Sequence, residues 1–308
     1  MAPVLPRSSI FARTLLQHGR LRHAVRLSSS SPGPLVKLTS IPAPHCGSIR
    51  ILSLNRPESR NAISKALLAE LAHHVDQVAK EGQGQNQTTR ALIVASDVDA
   101  SFCAGADLKE RATFTPEQTN EFLSSLRGTL TSLSRLPIPT IAAVSSLAFG
   151  GGLELALATH FRVFSSNAVV ALPETRLGII PGAGGTYRLP ALVGLNRARD
   201  LILTGRRVAA PEAYFLGLCD RLVQVLPEDV AGDAAAPRRK VLSEAVRLAT
   251  EICEGAPVAI AAGMAAVDGC AGGEAVENSM YDLVVQTEDR NEALRAFMEK
   301  RKPVFKGR

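Results

Sequence analysis

Hydrophobic residues recur with two different periods along residues 34–238. Short stretches that alternate or are continuously apolar predict β-strands, whereas apolar residues three or four positions apart predict α-helices. The stretches with strand character are 49–54, 91–95, 140–144, 161–164, 168–172 and 222–226, and those with helix character are 64–80, 115–135 and 153–158. Because strands and helices alternate along the chain, the sequence predicts an α/β fold.

The pattern changes after residue 238. Segments 241–253, 257–267 and 274–300 have helical spacing, and no convincing strand follows 222–226. We therefore expect a core over 34–238 and a helical region over 239–308. The apolar stretch 136–158 has the length of a membrane span, but prolines, a glycine triplet and a glutamate interrupt it. A buried strand, loop and helix explain it better, so no membrane partner is expected.

Positive charge is concentrated at the N-terminus. Residues 1–33 contain five arginines and no acidic residue, so they carry five of the six net positive charges and leave +1 for the rest. An arginine-rich, serine-rich and acid-free segment is typical of a mitochondrial transit peptide, and a disordered basic tail is the alternative. We expect residues 1–33 to be a transit peptide with its linker, and the mature chain to lie in the mitochondrial matrix.

Two loops of small residues are candidates for binding an anion through their backbone. The first is Ser-Phe-Cys-Ala-Gly-Ala-Asp-Leu-Lys at 101–109, and the second is Ala-Phe-Gly-Gly-Gly-Leu-Glu at 148–154. Small side chains let a ligand approach the backbone, and free amides at a helix start favour negative charge. Together the loops predict an oxyanion hole. Taken singly, the first is explained more simply by a tight turn and the second by close helix packing.

Two glutamates lie in apolar or glycine-rich surroundings. Glu154 follows the glycine triplet on an apolar segment, and Glu174 lies in Leu-Pro-Glu shortly before the Pro-Gly-Ala-Gly-Gly run at 181–185. A carboxylate in an apolar region costs free energy unless it is paired or used in catalysis. The two are therefore candidate acid and base groups, and the alternative is a buried salt bridge with Arg162 or Arg176.

From about residue 49 onward the chain resembles the crotonase, or enoyl-CoA hydratase/isomerase, family. The motifs that carry the resemblance occur in the order typical of the family, at 55–57, 103–109, 150–154, 173–174, 180–186 and 297–302. Within the family the chain is most similar to the AU-binding methylglutaconyl-CoA hydratases, through 102–112 and 152–158. The resemblance implies a spiral of ββα turns, a C-terminal helical trimerisation region over 239–308, and a homo-trimer or homo-hexamer.

The resemblance also implies the hydration of a 2-enoyl coenzyme A thioester. The backbone N–H groups of Ala106 and Gly151 would polarise the thioester carbonyl. Glu154 would take a proton from the attacking water, and Glu174 would protonate C2 of the resulting enolate. Gly182, at the start of a further helix, would help to orient that water.

Further residues are implied in substrate binding rather than in chemistry. They are Ala104, Gly105, Asp107, Leu108, Lys109, Phe149 and Gly182 around the acyl thioester, and Arg60, Lys109 and Lys300 at the coenzyme A phosphates. Coenzyme A is part of the substrate, so no cofactor is expected. The five cysteines form no C-x-x-C pair, so neither a zinc site nor a disulfide framework is predicted.

Two other functions compete with hydration. A double-bond isomerase of the same fold needs one positioned acid or base, and the presence of both Glu154 and Glu174 favours hydration. An RNA-binding role would need clustered cations, but the helix at 64–80 mixes Lys65 and Lys80 with acidic residues, which argues against RNA as a partner. Phe149, where the family usually has leucine, leaves the acyl group open between a short straight chain, a longer one and 3-methylglutaconyl.

Overall fold

The structure is a computed structural model and describes residues 33–82 and 88–308. Residues 1–32 of the predicted transit peptide and linker, and residues 83–87 of the loop after the first helix, lie outside these residues. The strands in the described part of the chain are β1 (Val36–Pro42), β2 (Ser48–Leu54), β3 (Thr89–Ser96), β4 (Ser101–Cys103), β5 (Thr140–Val144), β6 (Leu147–Phe149), β7 (Phe161–Ser165), β8 (Val169–Ala171), β9 (Val208–Ala209) and β10 (Arg221–Val223).

Helices occur between the strands and dominate the C-terminal part. They are α1 (Lys65–Glu81), α2 (Leu108–Arg111), α3 (Pro116–Ser134), α4 (Gly151–Leu157), α5 (Gly185–Val193), α6 (Leu195–Thr204), α7 (Ala210–Phe215), α8 (Pro227–Ala231), α9 (Ala236–Cys253), α10 (Pro257–Asp268), α11 (Glu274–Val285) and α12 (Glu288–Met298). The six predicted strands correspond to β2, β3, β5, β7, β8 and β10, so the α/β prediction is confirmed.

The strands form two sheets. The larger has the order β1-β2-β3-β5-β7-β10, in which only β1 is antiparallel to its neighbour. The smaller has the order β4-β6-β8-β9, and its first three strands are parallel. From β3 to β8, consecutive strands alternate between the larger and the smaller sheet, and helices connect the pairs. This alternation is the spiral of ββα turns.

The smaller sheet brings three loops to one edge. Its strands β4, β6 and β8 are parallel neighbours, so their carboxyl ends lie side by side. The strands end at Cys103, Phe149 and Ala171, and each is followed by one of the segments singled out in the sequence. The sequence did not predict β4 and β6, because both lie within or beside the two loops of small residues, where no strand period is visible.

Helices cover both faces of the larger sheet. Apolar residues of α1 and α3, including Leu71 and Leu130, belong to one core cluster with Leu52 and Leu92. On the opposite face Val241 and other residues of α9 pack on the strands. The domain boundary proposed between residues 238 and 239 therefore falls inside α9, a helix that belongs to the sheet's own packing.

The C-terminal helices differ from the prediction in one respect. The segment 274–300 was predicted as one helix, but α11 ends at Val285 and α12 begins at Glu288. The Thr287 side chain accepts a hydrogen bond from the Arg290 amide, and acidic residues occupy the first turn, so a new helix starts there. Among the described helices none is long and apolar enough to cross a membrane alone. Of these helices, only α9 and α10 taken together reach that length and composition, and they are bent by 103° where they meet.

Candidate active site

A cavity of about 530 Å³ lies at the edge where the three loops meet. Nine of the residues singled out in the sequence line it: Ala104, Gly105, Ala106, Leu108, Phe149, Gly151, Glu154, Glu174 and Gly182. The remaining wall is mainly apolar and comes from α3 and from the segment after Glu174. A concave, mostly apolar space with a few convergent polar groups is the usual form of a small-molecule site.

The first loop exposes the amide of Ala106. In the parallel bridge between Ile63 and Ala106, the Ile63 amide donates to the Gly105 carbonyl and the Asp107 amide donates to the Ile63 carbonyl. The Ala106 amide takes no part in this bridge, so it is directed to the other side of the chain. Gly105 has a φ of +95°, and a Cβ there would lie 2.7 Å from the Phe149 carbonyl oxygen, so only glycine fits.

The second loop places the amide of Gly151 next to that of Ala106. Gly151 is the first residue of α4, where an N–H has no acceptor within the helix. A Cβ on Gly151 would lie 3.7 Å from the Ala106 nitrogen. Gly152 permits this approach, since a Cβ there would lie only 2.2 Å from the Cys103 carbonyl oxygen. The two amides and the start of α4 therefore form a site for a developing negative charge.

Glu154 projects from the first turn of α4 and is held on one oxygen. Its Oε1 accepts hydrogen bonds from the amides of Ala183 at 2.7 Å and Gly185 at 2.8 Å. Burial raises the pKa of the Glu154 carboxyl, while these two amides and the nearby guanidinium groups of Arg188 and Arg127 oppose that rise. Two fixed donors on one oxygen orient the carboxylate and favour its ionised form.

Glu174 lies in a different setting, at the start of a single 3-10 turn, Glu174–Leu177, after β8. Its Oε2 is buried and has no hydrogen-bond partner among the described residues. Burial raises the pKa of Glu174 to about 7, and the charge of Glu154 adds to the rise. A carboxyl group with this pKa is partly protonated at neutral pH, as a general acid must be.

Neither glutamate takes part in the salt bridge considered as an alternative. Arg162 pairs with Asp220 at 2.9 Å, and Arg176 donates to the Thr204 carbonyl. Within the described ranges, the ion pairs involve neither Glu154 nor Glu174. In the same ranges, no group of three His, Cys, Asp or Glu side chains is placed to hold a metal ion.

The sequence predicted Gly182 at the start of a helix, but α5 begins only at Gly185, so Gly182 lies in the loop before it. The amides that meet Glu154 belong to Ala183 and Gly185, and two arginines hold this segment. Arg127 donates from Nε to the Gly182 carbonyl at 2.6 Å, and Arg188 donates from Nη1 to the Ala183 carbonyl at 2.9 Å. The sequence did not identify either arginine as part of the site. Arg127 binds a carbonyl 55 positions away, and Arg188 binds one in the loop before its own helix.

Four of the predicted binding residues do not line the cavity. Asp107 caps α2 by accepting from the amides of Lys109 and Glu110, and it pairs with Arg56 at 2.7 Å. These contacts give Asp107 a role in fixing the loop. Lys109 is exposed on α2, whereas Arg60 and Lys300 are exposed with left-handed backbones, at φ values of 51° and 55°. Their assignment to the coenzyme A phosphates stays a prediction.

Comparison with known proteins gives a consistent result. The family model described as enoyl-CoA hydratase/isomerase matches residues 45–308. A mitochondrial methylglutaconyl-CoA hydratase of Pyricularia oryzae is 57% identical over 307 residues, covering 89% of this chain and 87% of the relative. An enoyl-CoA isomerase/hydratase of Zymoseptoria tritici is 60% identical over 285 residues, covering 92% of each. The crystal structure of an enoyl-CoA hydratase from Bacillus anthracis aligns with a TM-score of 0.79 at 38% identity, covering 89% of this chain and all of that one.

Proposed function

The chain belongs to the enoyl-CoA hydratase/isomerase family, and on this premise we propose that it is a hydro-lyase that adds water to a 2-enoyl-CoA thioester. The observation that carries the proposal is the pair of buried glutamates beside two converging amides in one cavity. The amides suit a thioester oxygen, and the glutamates suit the two proton transfers that hydration requires.

The two amides act on the thioester carbonyl. When water adds at C3, the electron pair of the double bond moves toward the carbonyl and forms an enolate oxygen. The amides of Ala106 and Gly151 donate hydrogen bonds to this oxygen, and the start of α4 adds a favourable dipole. Their contribution is greatest in the transition state, because negative charge develops there.

The two glutamates divide the proton transfers. Glu154, oriented by two amides on Oε1, accepts a proton from the attacking water through its other oxygen. Glu174 donates its proton to C2 of the enolate, which its pKa of about 7 allows near neutral pH. The hydroxyl and the proton both come from the side of the chain that faces the two carboxyl groups, so the addition is syn. Return of the proton from Glu154 to Glu174 restores the starting state.

The test is the loss of enoyl absorbance when the purified chain is mixed with crotonyl-CoA and, separately, with 3-methylglutaconyl-CoA. Consumption of either substrate, with formation of the 3-hydroxy product, supports hydration. A shift of the double bond without uptake of water would replace hydratase by isomerase, the alternative that the name of the Zymoseptoria relative also includes.

Assembly as a trimer or hexamer is part of the proposal. Large apolar side chains on α10 to α12 are exposed in the single chain, including Val267 at 72%, Tyr281 at 68% and Phe297 at 83%. Apolar exposure on this scale is typical of an interface. Light scattering coupled to size-exclusion chromatography tests the assembly, and a monomer at micromolar concentration would contradict it.

The matrix location is proposed from the arginine-rich segment 1–33. The methylglutaconyl-CoA hydratase of Pyricularia oryzae carries a mitochondrial designation in its name. Import into isolated mitochondria with cleavage near residue 33 is the expected result, and failure of import would contradict it.

A further inference from the structure

One face of α3 forms a wall of the cavity, and a single charge interrupts it. The residues of this face are Thr119, Phe122, Leu123, Leu126 and Arg127. These residues are three or four positions apart and therefore lie on one face of the helix. An apolar residue is expected at position 127, as at the other cavity-facing positions. Arg127 is the one ionisable residue of this face, and its side chain borders a cavity that is otherwise mainly apolar.

The guanidinium of Arg127 lies close to the catalytic groups. Its Nε donates to the Gly182 carbonyl at 2.6 Å, and the amide of the same peptide group, on Ala183, donates to Glu154 at 2.7 Å. A single peptide group therefore separates the two side chains, so Nε lies at most about 8 Å from Oε1 of Glu154. The charge of Arg127 is also among the causes that lower the pKa of Glu154.

Most of the donors of Arg127 remain available. Arginine has five N–H donors, and the described residues accept only the one from Nε. Those residues also provide no acidic partner for Arg127, whereas several other arginines, such as Arg206 and Arg221, each pair with two carboxylates. The terminal Nη2 would lie 3.9 Å from a Cβ on Gly182, at the cavity wall.

This position suits a carboxylate on the acyl chain. In a five-carbon dicarboxylic thioester, the second carboxylate is C5, two bonds beyond the carbon that water attacks. A guanidinium nitrogen bound to that carboxylate lies roughly 6 Å from C3. The bound of about 8 Å between Arg127 Nε and Glu154 Oε1 is compatible with this spacing when C3 lies beside Glu154. Arg127 is exposed in the single chain, so the planar match between guanidinium and carboxylate, rather than exclusion of water, would carry the pairing.

We propose that Arg127 binds a carboxylate at the far end of the acyl chain, so that the preferred substrates are 2-enoyl-CoA thioesters of dicarboxylic acids. The 3-methylglutaconyl thioester belongs to this class, and crotonyl-CoA lacks the second carboxylate. The inference rests on the proposed hydration of enoyl thioesters and names the acyl group. It makes Arg127 a specificity-determining residue in addition to its contact with Gly182.

The experiment compares 3-methylglutaconyl-CoA with crotonyl-CoA in the wild type, Arg127→Met, Arg127→Lys and Arg111→Met. The readout is the ratio of the two kcat/KM values, because any disturbance of the Gly182 segment lowers both values and cancels. We expect the ratio to fall by about 10- to 100-fold in Arg127→Met and to recover partly in Arg127→Lys. Arg111, the other arginine at the cavity, is the competing candidate for the carboxylate, and Arg111→Met should leave the ratio unaltered if Arg127 is the ligand.

A second readout separates this inference from the proposed function. Calorimetry measures the affinities of glutaryl-CoA and butyryl-CoA, which bind without reacting, and Arg127→Met should remove the preference for glutaryl-CoA. If neither enoyl thioester is hydrated, hydration is wrong and the binding ratio alone decides the role of Arg127. An unchanged ratio in Arg127→Met in both assays, a wild type that prefers the monocarboxylic compounds, or a ratio that responds to Arg111 instead would overturn the inference.

Discussion

The start of α4 and the turn after β8 each present one glutamate to the cavity, but they hold it differently. Glu154 belongs to a helix whose residues are all buried, and two amides fix one of its oxygens. Glu174 begins a single 3-10 turn whose next residues are more exposed, and its Oε2 has no partner among the described residues. Hydrogen-bond donors and burial, more than residue type, therefore decide how readily each of these carboxyl groups gives up its proton.

The largest expected effect comes from removing the acid. Glu174→Gln keeps the size of the side chain but cannot deliver a proton to C2, so we expect kcat for hydration to fall by about 100- to 10,000-fold. The fold, followed by circular dichroism, and the binding of a saturated acyl-CoA should be preserved. Retained turnover would show that the turn after β8 does not supply the acid.

Removing the oxyanion donor should have the next largest effect. Gly151→Pro deletes the N–H at the first position of α4, where proline is tolerated, and should lower kcat by about 100- to 1000-fold.

Gly151→Ala is the matched control. It keeps the N–H, and its Cβ meets no atom closer than 3.5 Å. If proline and alanine give the same rate, the Gly151 amide is not the donor.

A smaller effect is expected where the support of Glu154 is weakened. Arg188→Gln removes the cation that holds the Ala183 carbonyl, so the amide bonds to Glu154 lose alignment and kcat should fall by about 10-fold. Loss of the positive charge also raises the pKa of Glu154. Because the base must be ionised, the acidic limb of the kcat/KM profile should move to higher pH. An unmoved limb with a lower rate would indicate a purely structural role.

The smallest expected effect concerns stability. Glu174 has a pKa of about 7 in the folded chain against 4.5 ordinarily, so the folded chain holds a proton that the unfolded chain releases. Its contribution to the free energy of unfolding is therefore fully present below pH 4.5 and is lost as the pH rises through about 7. At pH 8, Glu174→Gln should raise Tm by a few degrees, and the gain should vanish below pH 4.5. If the variant and the wild type have the same Tm at pH 8 as well as below pH 4.5, the pKa of Glu174 is not raised.

The sequence was most informative where a segment is long or chemically unusual. The strand β3, buried along its whole length, and the helix α3 follow from the local patterns at 91–95 and 115–135, and the structure confirms both. The glutamates could be found because a carboxylate is rare in an apolar segment.

Other features depend on contacts between distant segments. The amides that orient Glu154 come from residues 183 and 185, and Arg127 reaches Gly182 across 55 positions. The start of α12 was missed although Thr287 signals it, because the apolar spacing continues across the break. Local periodicity contains no information on which turn of the spiral faces which.

The contact between Gly152 and the Cys103 carbonyl locks the first loop to the start of α4. The oxyanion amides therefore cannot be moved apart without dismantling two turns of the spiral, whereas α3 contributes only side chains to the cavity. We expect mutations at the apolar positions of the α3 face to change which acyl group is accepted more readily than they change the reaction. Divergence among relatives should accordingly concentrate on that helix, and new substrates should be obtainable in the laboratory by randomising its five cavity-facing positions.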